Sequence, residues 1–182
     1  MKKILIFVTT LDGKVTKGDN PFVKSWSSRS DQEYFRNIWS SSSLIVMGSK
    51  TFILDPIKPS PARLLIVITS RPHEFSQFNV PGQIEFTDEK PAEIVSRLEK
   101  KGIGQMLIVG GPHLAASFLR EKLIDELWLT IEPKIFGEGN DLVSGERLDI
   151  SLKLISCEKV NDEGTLITKY AVLKPSDLPG GP

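Results

Sequence analysis

The sequence predicts an α/β fold on a mostly parallel sheet with an antiparallel edge, and three observations carry that prediction. Apolar runs at 4–8, 44–47, 64–68 and 107–109 show no polar alternation, as strands covered on both faces require. Segments with apolar residues at helical spacing separate them, which is the alternation of a parallel sheet. The last part of the chain changes period, with strand-like segments at 151–160 and 165–173 around the turn Asn161-Asp-Glu-Gly164.

Taken in order, the strand 4–8 gives way to Thr9-Thr10 and a turn marked by Asp12-Gly13. Residues 16–28 are polar, contain Pro21 and show no period, so they form a long loop of the kind that usually carries function. Phe22 and Trp26 require that loop to pack on something. Ser30 followed by Glu33 is a capping-box pattern, and Tyr34, Phe35, Ile38 and Trp39 supply the apolar face of the helix it opens. Serines 40–43 end that helix. The strand 44–47 leads into a short helical segment stopped near Pro56, and a proline-rich connection at 58–62 reaches the strand 64–68. Residues 73–82 are irregular, and 84–87 form a short strand. A helix over 91–101 has Pro91 near its start and Gly102 beyond its end. Then 107–109 is a strand, Gly110-Gly111 a sharp turn, Pro112 the first helical position, and 124–131 another apolar strand. One domain is expected over 1–174, with a flexible tail over 175–182.

Composition narrows the function. Lys+Arg and Asp+Glu both number 23 in 182 residues, so no basic excess argues for nucleic acid or an anionic membrane. Cys157 is the only cysteine, which rules out an internal disulfide and a thiolate cluster. His73 and His113 have no neighbours at metal-ligand spacing, so no metal is predicted. Lys2-Lys3 before an apolar run imitates an export signal, but the run stops at Thr9 and no cleavage site follows. Nothing approaches membrane-spanning length, and a cytoplasmic protein is expected.

Three strand ends resemble one another: Gly48, Ser49, Lys50 and Thr51; Thr69, Ser70 and Arg71; Gly110, Gly111, Pro112, His113 and Leu114. Each sets small or hydroxylic residues where an apolar strand stops, and open α/β sheets bind ligands there. A dinucleotide with several phosphates could use such a set, with Lys50 and Arg71 as cations. Taken alone, Lys50 and Arg71 read as solvated surface charges, and Gly110-Gly111 as a tight turn. No Gly-x-Gly-x-x-Gly or P-loop pattern is present. Asp31 is the sharpest candidate for chemistry, five residues after Trp26 and four before Phe35. Taken alone, it reads as a helix-start acid stabilised by the dipole by about 0.3–1 kcal/mol.

Trp26-x4-Asp31-x3-Phe35, Ile45-Val-Met-Gly-Ser-Lys-Thr51, Ile66-Val-Ile-Thr-Ser70, Ile108-Val-Gly-Gly111 and Leu127-Trp-Leu-Thr130 resemble dihydrofolate reductase in order and approximate spacing. Thr10-Leu-Asp-Gly-Lys-Val15, with Ile124-Asp-Glu-Leu127, Pro133 and Gly137, is more similar to the related reductase (RibD C-terminal) domain of riboflavin biosynthesis. The resemblance implies a three-layer α/β/α sandwich with a central sheet of about eight strands. It also implies an NADPH-dependent oxidoreductase acting on a pyrimidine or pterin metabolite, either the phosphoribosylamino-uracil of riboflavin biosynthesis or dihydrofolate. The alternative is a catalytically silent NADP-binding sensor or assembly protein. By carry-over the three strand ends would hold NADPH, and Leu11, Asp12 and Gly13 would lie beside its nicotinamide. Asp31 would promote protonation with support from Thr130, and Trp26, Phe35, Asp55 and Arg63 would contact substrate. A homodimer is implied as well. Two departures stand out. Val109 occupies the place of the riboflavin reductases' usual glutamate, and Trp39-Ser-Ser-Ser-Ser43 that of their phosphate-binding arginine.

Overall fold

The computed structural model describes residues 1–143, 147–174 and 177 of the 182; the expected tail, Asp177 apart, lies outside the described residues. The strands are β1 Lys2–Thr10, β2 Leu44–Gly48, β3 Leu64–Ile68, β4 Ile84–Thr87, β5 Gln105–Val109, β6 Glu126–Glu132, β7 Leu152–Lys159 and β8 Leu166–Val172. The α-helices are α1 Arg29–Ser41, α2 Ser49–Leu54, α3 Pro91–Glu99 and α4 Pro112–Arg120. All eight strands join one sheet in the order β4-β3-β2-β5-β1-β6-β8-β7. The first six pair in parallel, while β8 runs antiparallel to β6 and β7 antiparallel to β8. This is the mostly parallel sheet with a terminal hairpin that the change of period predicts.

Apolar runs form these strands because both faces are covered. Ile4, Leu5, Ile45, Val46, Ile66, Leu107 and Ile108 have no exposed surface, and each such side chain contributes roughly 1.5–3 kcal/mol. Successive residues point to opposite faces, so each run feeds two layers. Leu5, Val46, Ile66 and Ile108 meet α3 and α4 through Ile94, Leu98, Ala115 and Phe118. Ile4, Ile45, Met47 and Leu107 enter the other layer, where α1 supplies Tyr34, Phe35, Ile38 and Trp39. There Phe52 of α2 packs edge-on against Phe86, 5.1 Å between ring centres, and Phe86 stacks on Phe75 at 4.9 Å. That aromatic cluster fixes α2 over the outer strands.

The helix α1 starts earlier than the Ser30 capping box predicts. Ser28 is its N-cap, with an extended backbone and a hydroxyl that accepts from the Asp31 amide at 3.2 Å. Ser30 is already helical, and Glu33 pairs with Arg29 instead of reaching back to a cap. Asp31 therefore stands in the first turn, on the face turned toward the sheet.

The loop after β1 and the loop after β6 are laced together. Val15 N donates to the Asn140 carbonyl at 2.8 Å, and Asn140 N donates to the Thr16 hydroxyl at 2.8 Å. Asp12 accepts from the Gly137 amide at 2.7 Å, from the Phe136 amide and from the Thr10 hydroxyl. The Thr10 hydroxyl and the Gly137 amide pull its carboxyl down to about 2. Trp26 packs edge-on against Phe136 at 5.3 Å, which answers what the long loop rests on. Phe22 stays exposed.

Gly139 completes the lacing, because a Cβ there would overlap the Thr16 carbonyl oxygen and its φ is +134°. Gly139→Ala is expected to destabilise the fold by roughly 2 kcal/mol or more, read as a lower urea midpoint with unchanged slope. An unchanged midpoint would mean that the loops do not depend on this contact.

Candidate active site

The three sequence-predicted anion seats are neighbours in space. They leave the carboxyl ends of β3, β2 and β5, which are consecutive in the sheet, and strands lie about 4.8 Å apart. Gly48 is the N-cap of α2 and Gly111 that of α4, so two helix starts face the same edge. The amides of the first helical turn have no partners inside the helix, which makes such an edge receptive to anions. Gly110 has φ +39°, a region that favours glycine, and the peptide joining it to Gly111 is cis. No backbone atom comes within 4 Å of where a Cβ would stand on these glycines, their chain neighbours apart. A Cβ on Gly48 would meet nothing within 4 Å, and on Gly110 or Gly111 it would meet only side-chain atoms at 3.8–3.9 Å, Thr51 Oγ1 among them. Their bareness opens space, where that of Gly139 allows tight packing. Turn geometry accounts for Gly110 through its φ, but not for Gly48 or Gly111, whose φ values any residue can adopt.

Asp31 and Thr130 are brought together two strands further along. Thr130 lies on β6 beside Val8 of β1, and both Thr130 and Asp31 are buried, the latter 6% exposed. Burial pushes the Asp31 carboxyl up, the hydroxyls of Thr130 and Ser27 pull against the rise, and the charge of Glu132 adds to it. Ser27 Oγ approaches the carboxyl without reaching full hydrogen-bond geometry. Trp26 Nε1 and the Tyr34 hydroxyl are buried near this corner, also without partners. Burial, then the Asp31 charge, pushes Tyr34 up to about 12. Unpartnered buried donors are uncommon in native folds, and several at one corner suggest room for a polar ligand.

Other expected residues are placed differently. Asp55 ends α2 and pairs with Lys24 at 2.7 Å on the surface, a link between the long loop and α2. Arg63 precedes β3, and its guanidinium lies 5.3 Å from the Trp39 ring and donates to the Trp39 carbonyl at 3.1 Å. It thus sits at the far end of α1, about 12 Å along the helix from Asp31. Its Nε is buried without a partner. Phe35 packs against Trp39 at 5.8 Å between them. Arg71 pairs with Glu74, and His113 is exposed. Leu114 sends its side chain into the core, leaving only its backbone amide to the cradle. Leu11 is exposed at the rim. Sequence reasoning missed Glu132, Ser28 and the Tyr34 hydroxyl; Glu132 carries a faint signal as an acid two residues past Thr130 on the same strand face. Among the described residues no group of three or more His, Cys, Asp or Glu could hold a metal, and no helix is long and apolar enough to cross a membrane.

The model of the RibD C-terminal domain matches residues 2–166. The chain belongs to this family. Two Bacillus subtilis proteins of uncharacterised function are similar in sequence. YyaP is 28% identical over 164 residues, 84% of this chain and 86% of its own, and YwjB is 24% identical over 144 residues, 76% and 80%. A pyrimidine reductase-like protein from Corynebacterium diphtheriae superposes with a TM-score of 0.74 at 17% identity, covering 95% of this chain and 92% of that one. The Thermotoga maritima diaminohydroxyphosphoribosylaminopyrimidine deaminase/5-amino-6-(5-phosphoribosylamino)uracil reductase gives 0.72 at 18% identity, over 94% of this chain and 56% of that one. At such identities the superpositions bear on the fold. For this RibD C-terminal domain, then, the cradle and the buried acid lie at the carboxyl edge of a fold shared with pyrimidine reductase-like proteins.

The raised Asp31 carboxyl has a consequence for stability. The folded state holds this proton more tightly than the unfolded chain, so the contribution is fully present below the ordinary carboxylate value and is lost as pH rises from there through the raised folded value. Asp31→Asn is therefore expected to melt at or above the wild-type temperature at pH 7–8, and the difference should vanish near pH 3. A variant that melts lower at neutral pH would show that ionised Asp31 is a stabilising cap.

Proposed function

We propose that this chain is an NADPH-dependent reductase that transfers hydride to a carbon–nitrogen double bond of a pyrimidine-type metabolite. One observation carries the reading: an open glycine cradle lies on β3, β2 and β5, and Thr130, which meets the buried acid Asp31, lies on β6, two strands or about 10 Å beyond β5. The chain's residues fit the cofactor. Gly48 to Thr51, Thr69 to Arg71 and Gly110 to Leu114 would hold its phosphates, and Leu11, Asp12 and Gly13 would border its nicotinamide. When bound, NADPH supplies the hydride.

The chain's own groups handle the proton. Asp31, raised by burial, keeps a proton at its carboxyl and gives it to the substrate nitrogen as the neighbouring carbon is reduced. Thr130 orients that carboxyl. Trp26 Nε1 and Ser27 Oγ, both without partners, are donors for a ring carbonyl. Phe35 flanks the ring, and Arg63 receives the anionic end of the substrate. The family's usual arginine near the end of α1 is missing here, yet the Arg63 guanidinium reaches that same turn from before β3. Asp55, held by Lys24, borders the mouth. The phosphoribosylamino-uracil and dihydrofolate both combine a ring with an anionic tail.

Loss of NADPH absorbance with each of these two acceptors tests the reading. Turnover is expected with one of them, and Asp31→Asn should reduce it by at least about 100-fold while leaving NADPH affinity, measured by calorimetry, within about twofold. Tight NADPH binding with neither acceptor reduced would favour a silent binding protein.

We also propose a homodimer through β7. All eight residues of this edge strand are exposed, with Leu152, Leu154 and Ile155 on it, which leaves a pairing edge and apolar surface uncovered. Antiparallel self-pairing about a two-fold axis between Ile155 and Ser156 would set Lys153 opposite Glu158 on both sides. Sedimentation is expected to show a dimer, and Leu154→Glu a monomer; a monomeric wild type would sink the proposal.

A further inference from the structure

Glu132 ends β6, two residues after Thr130 and on the same face of the sheet. Its side chain is 1% exposed. One carboxylate oxygen accepts from the Ser28 amide at 2.7 Å, and the other accepts from the Thr165 hydroxyl at 2.8 Å. The first donor bears on Asp31 directly, and the second fixes the neighbouring turn. Ser28 is the N-cap of α1, and its own hydroxyl accepts from the Asp31 amide. Thr165 is fully buried just before β8, and its hydroxyl accepts from Asn161 Nδ2 at 2.8 Å. A single carboxylate thus joins the start of α1, the end of β6 and the turn between β7 and β8.

A clamp alone does not require an acid. Glutamine has the same shape, would accept the same amide bond, and is far less costly to bury than a carboxylate. We propose that Glu132 is a positioning residue for Asp31, fixing the start of α1 against the sheet and setting a negative charge beside the acid. Repulsion from that charge adds to burial in raising the Asp31 carboxyl, so the proton stays on Asp31 to higher pH. Tyr34, from α1 itself, also feels the Asp31 charge. Arg29, Lys134 and Glu163 line the cavity of about 400 Å³ outside Glu132. The catalytic consequence rests on Asp31 being the proton donor; the coupling between the two residues does not.

Carbon-13 NMR titration of the Asp31 side chain, without substrate, reads that coupling directly. Glu132→Gln keeps an acceptor for Ser28 and offers its amide to Thr165, so the clamp is preserved while the charge is removed. The Asp31 midpoint is expected to fall in this variant, by more than the error of the titration. In turnover, the high-pH limb of the rate profile should move down by the same amount, with near wild-type rates recovered in acid and Glu132→Asp restoring most of the shift. An Asp31 midpoint that does not move in folded Glu132→Gln overturns the proposal, as does a rate loss equal at every pH, which a purely structural clamp would give. Should Glu132→Gln fail to fold, Glu132→Met fills a similar volume without charge and permits the same titration. A moved midpoint in a chain that reduces neither acceptor would support this inference while removing the proposed reaction.

Discussion

Parallel pairing of six strands is the constraint on which the rest depends. A parallel sheet buried on both faces cannot turn its chain back with a hairpin, so each strand must leave at the same edge and return through a covering layer. In this chain that sends the segments after β1, β2, β3, β5 and β6 to one rim. The two helical layers do not merely cover the sheet. Their starts are delivered to that rim, with α1 carrying Asp31 and α2 and α4 carrying the glycine caps. Position at this rim is therefore set by core packing, through buried residues such as Ile4, Ile108 and Phe118.

Within that frame the same residue types do opposite work. Gly139 is glycine because the Thr16 carbonyl leaves no space, whereas Gly48 and Gly111 face space that protein atoms do not fill. The carboxylates divide in the same way. Asp12 lies where a hydroxyl and two amides converge, and these hold it far below the ordinary range, so it is a tie between loops. Asp31 is enclosed with fewer donors and is pushed the other way. Burial and donor count, not residue type, push one carboxyl toward its proton and the other toward its charge.

Much of the fold was legible because burial leaves a direct mark on the chain. The run 64–68 coincides with β3, since a strand covered on both faces needs apolar residues throughout, and 84–87 coincides with the edge strand β4, where Glu85 alternates with buried Ile84 and Phe86. The glycine seats were legible as punctuation, and Asp31 as an acid at a helix start. What could not be read were partnerships across the chain. Ser28 outcompetes Ser30 as the cap, a choice that depends on the Glu132 carboxylate 104 residues away holding the Ser28 amide. Trp26 was legible as needing a partner, but Phe136 as that partner was not. Arg63 was expected near substrate, yet the tertiary structure alone shows its guanidinium at the last turn of α1. Short-range pattern records what is buried; it does not record by whom.

The Asp12 tie has a meaning for the order of events during synthesis. Asp12 emerges early, but the Phe136 amide it holds lies 124 residues later. β1 likewise waits for β5 and β6, its two neighbours in the sheet. Closing loops of that length has an entropic cost that contacts repay only after most of the chain exists. The ribosome therefore releases the first strand and the long loop well before anything can enclose them. Until β5 arrives, Ile4 to Val8 is an apolar segment with no strand partner on either side, and until β6 arrives it has one on only one side. The rim is therefore completed late, although its first segments emerge early, and an unpaired apolar strand is prone to mispairing until then.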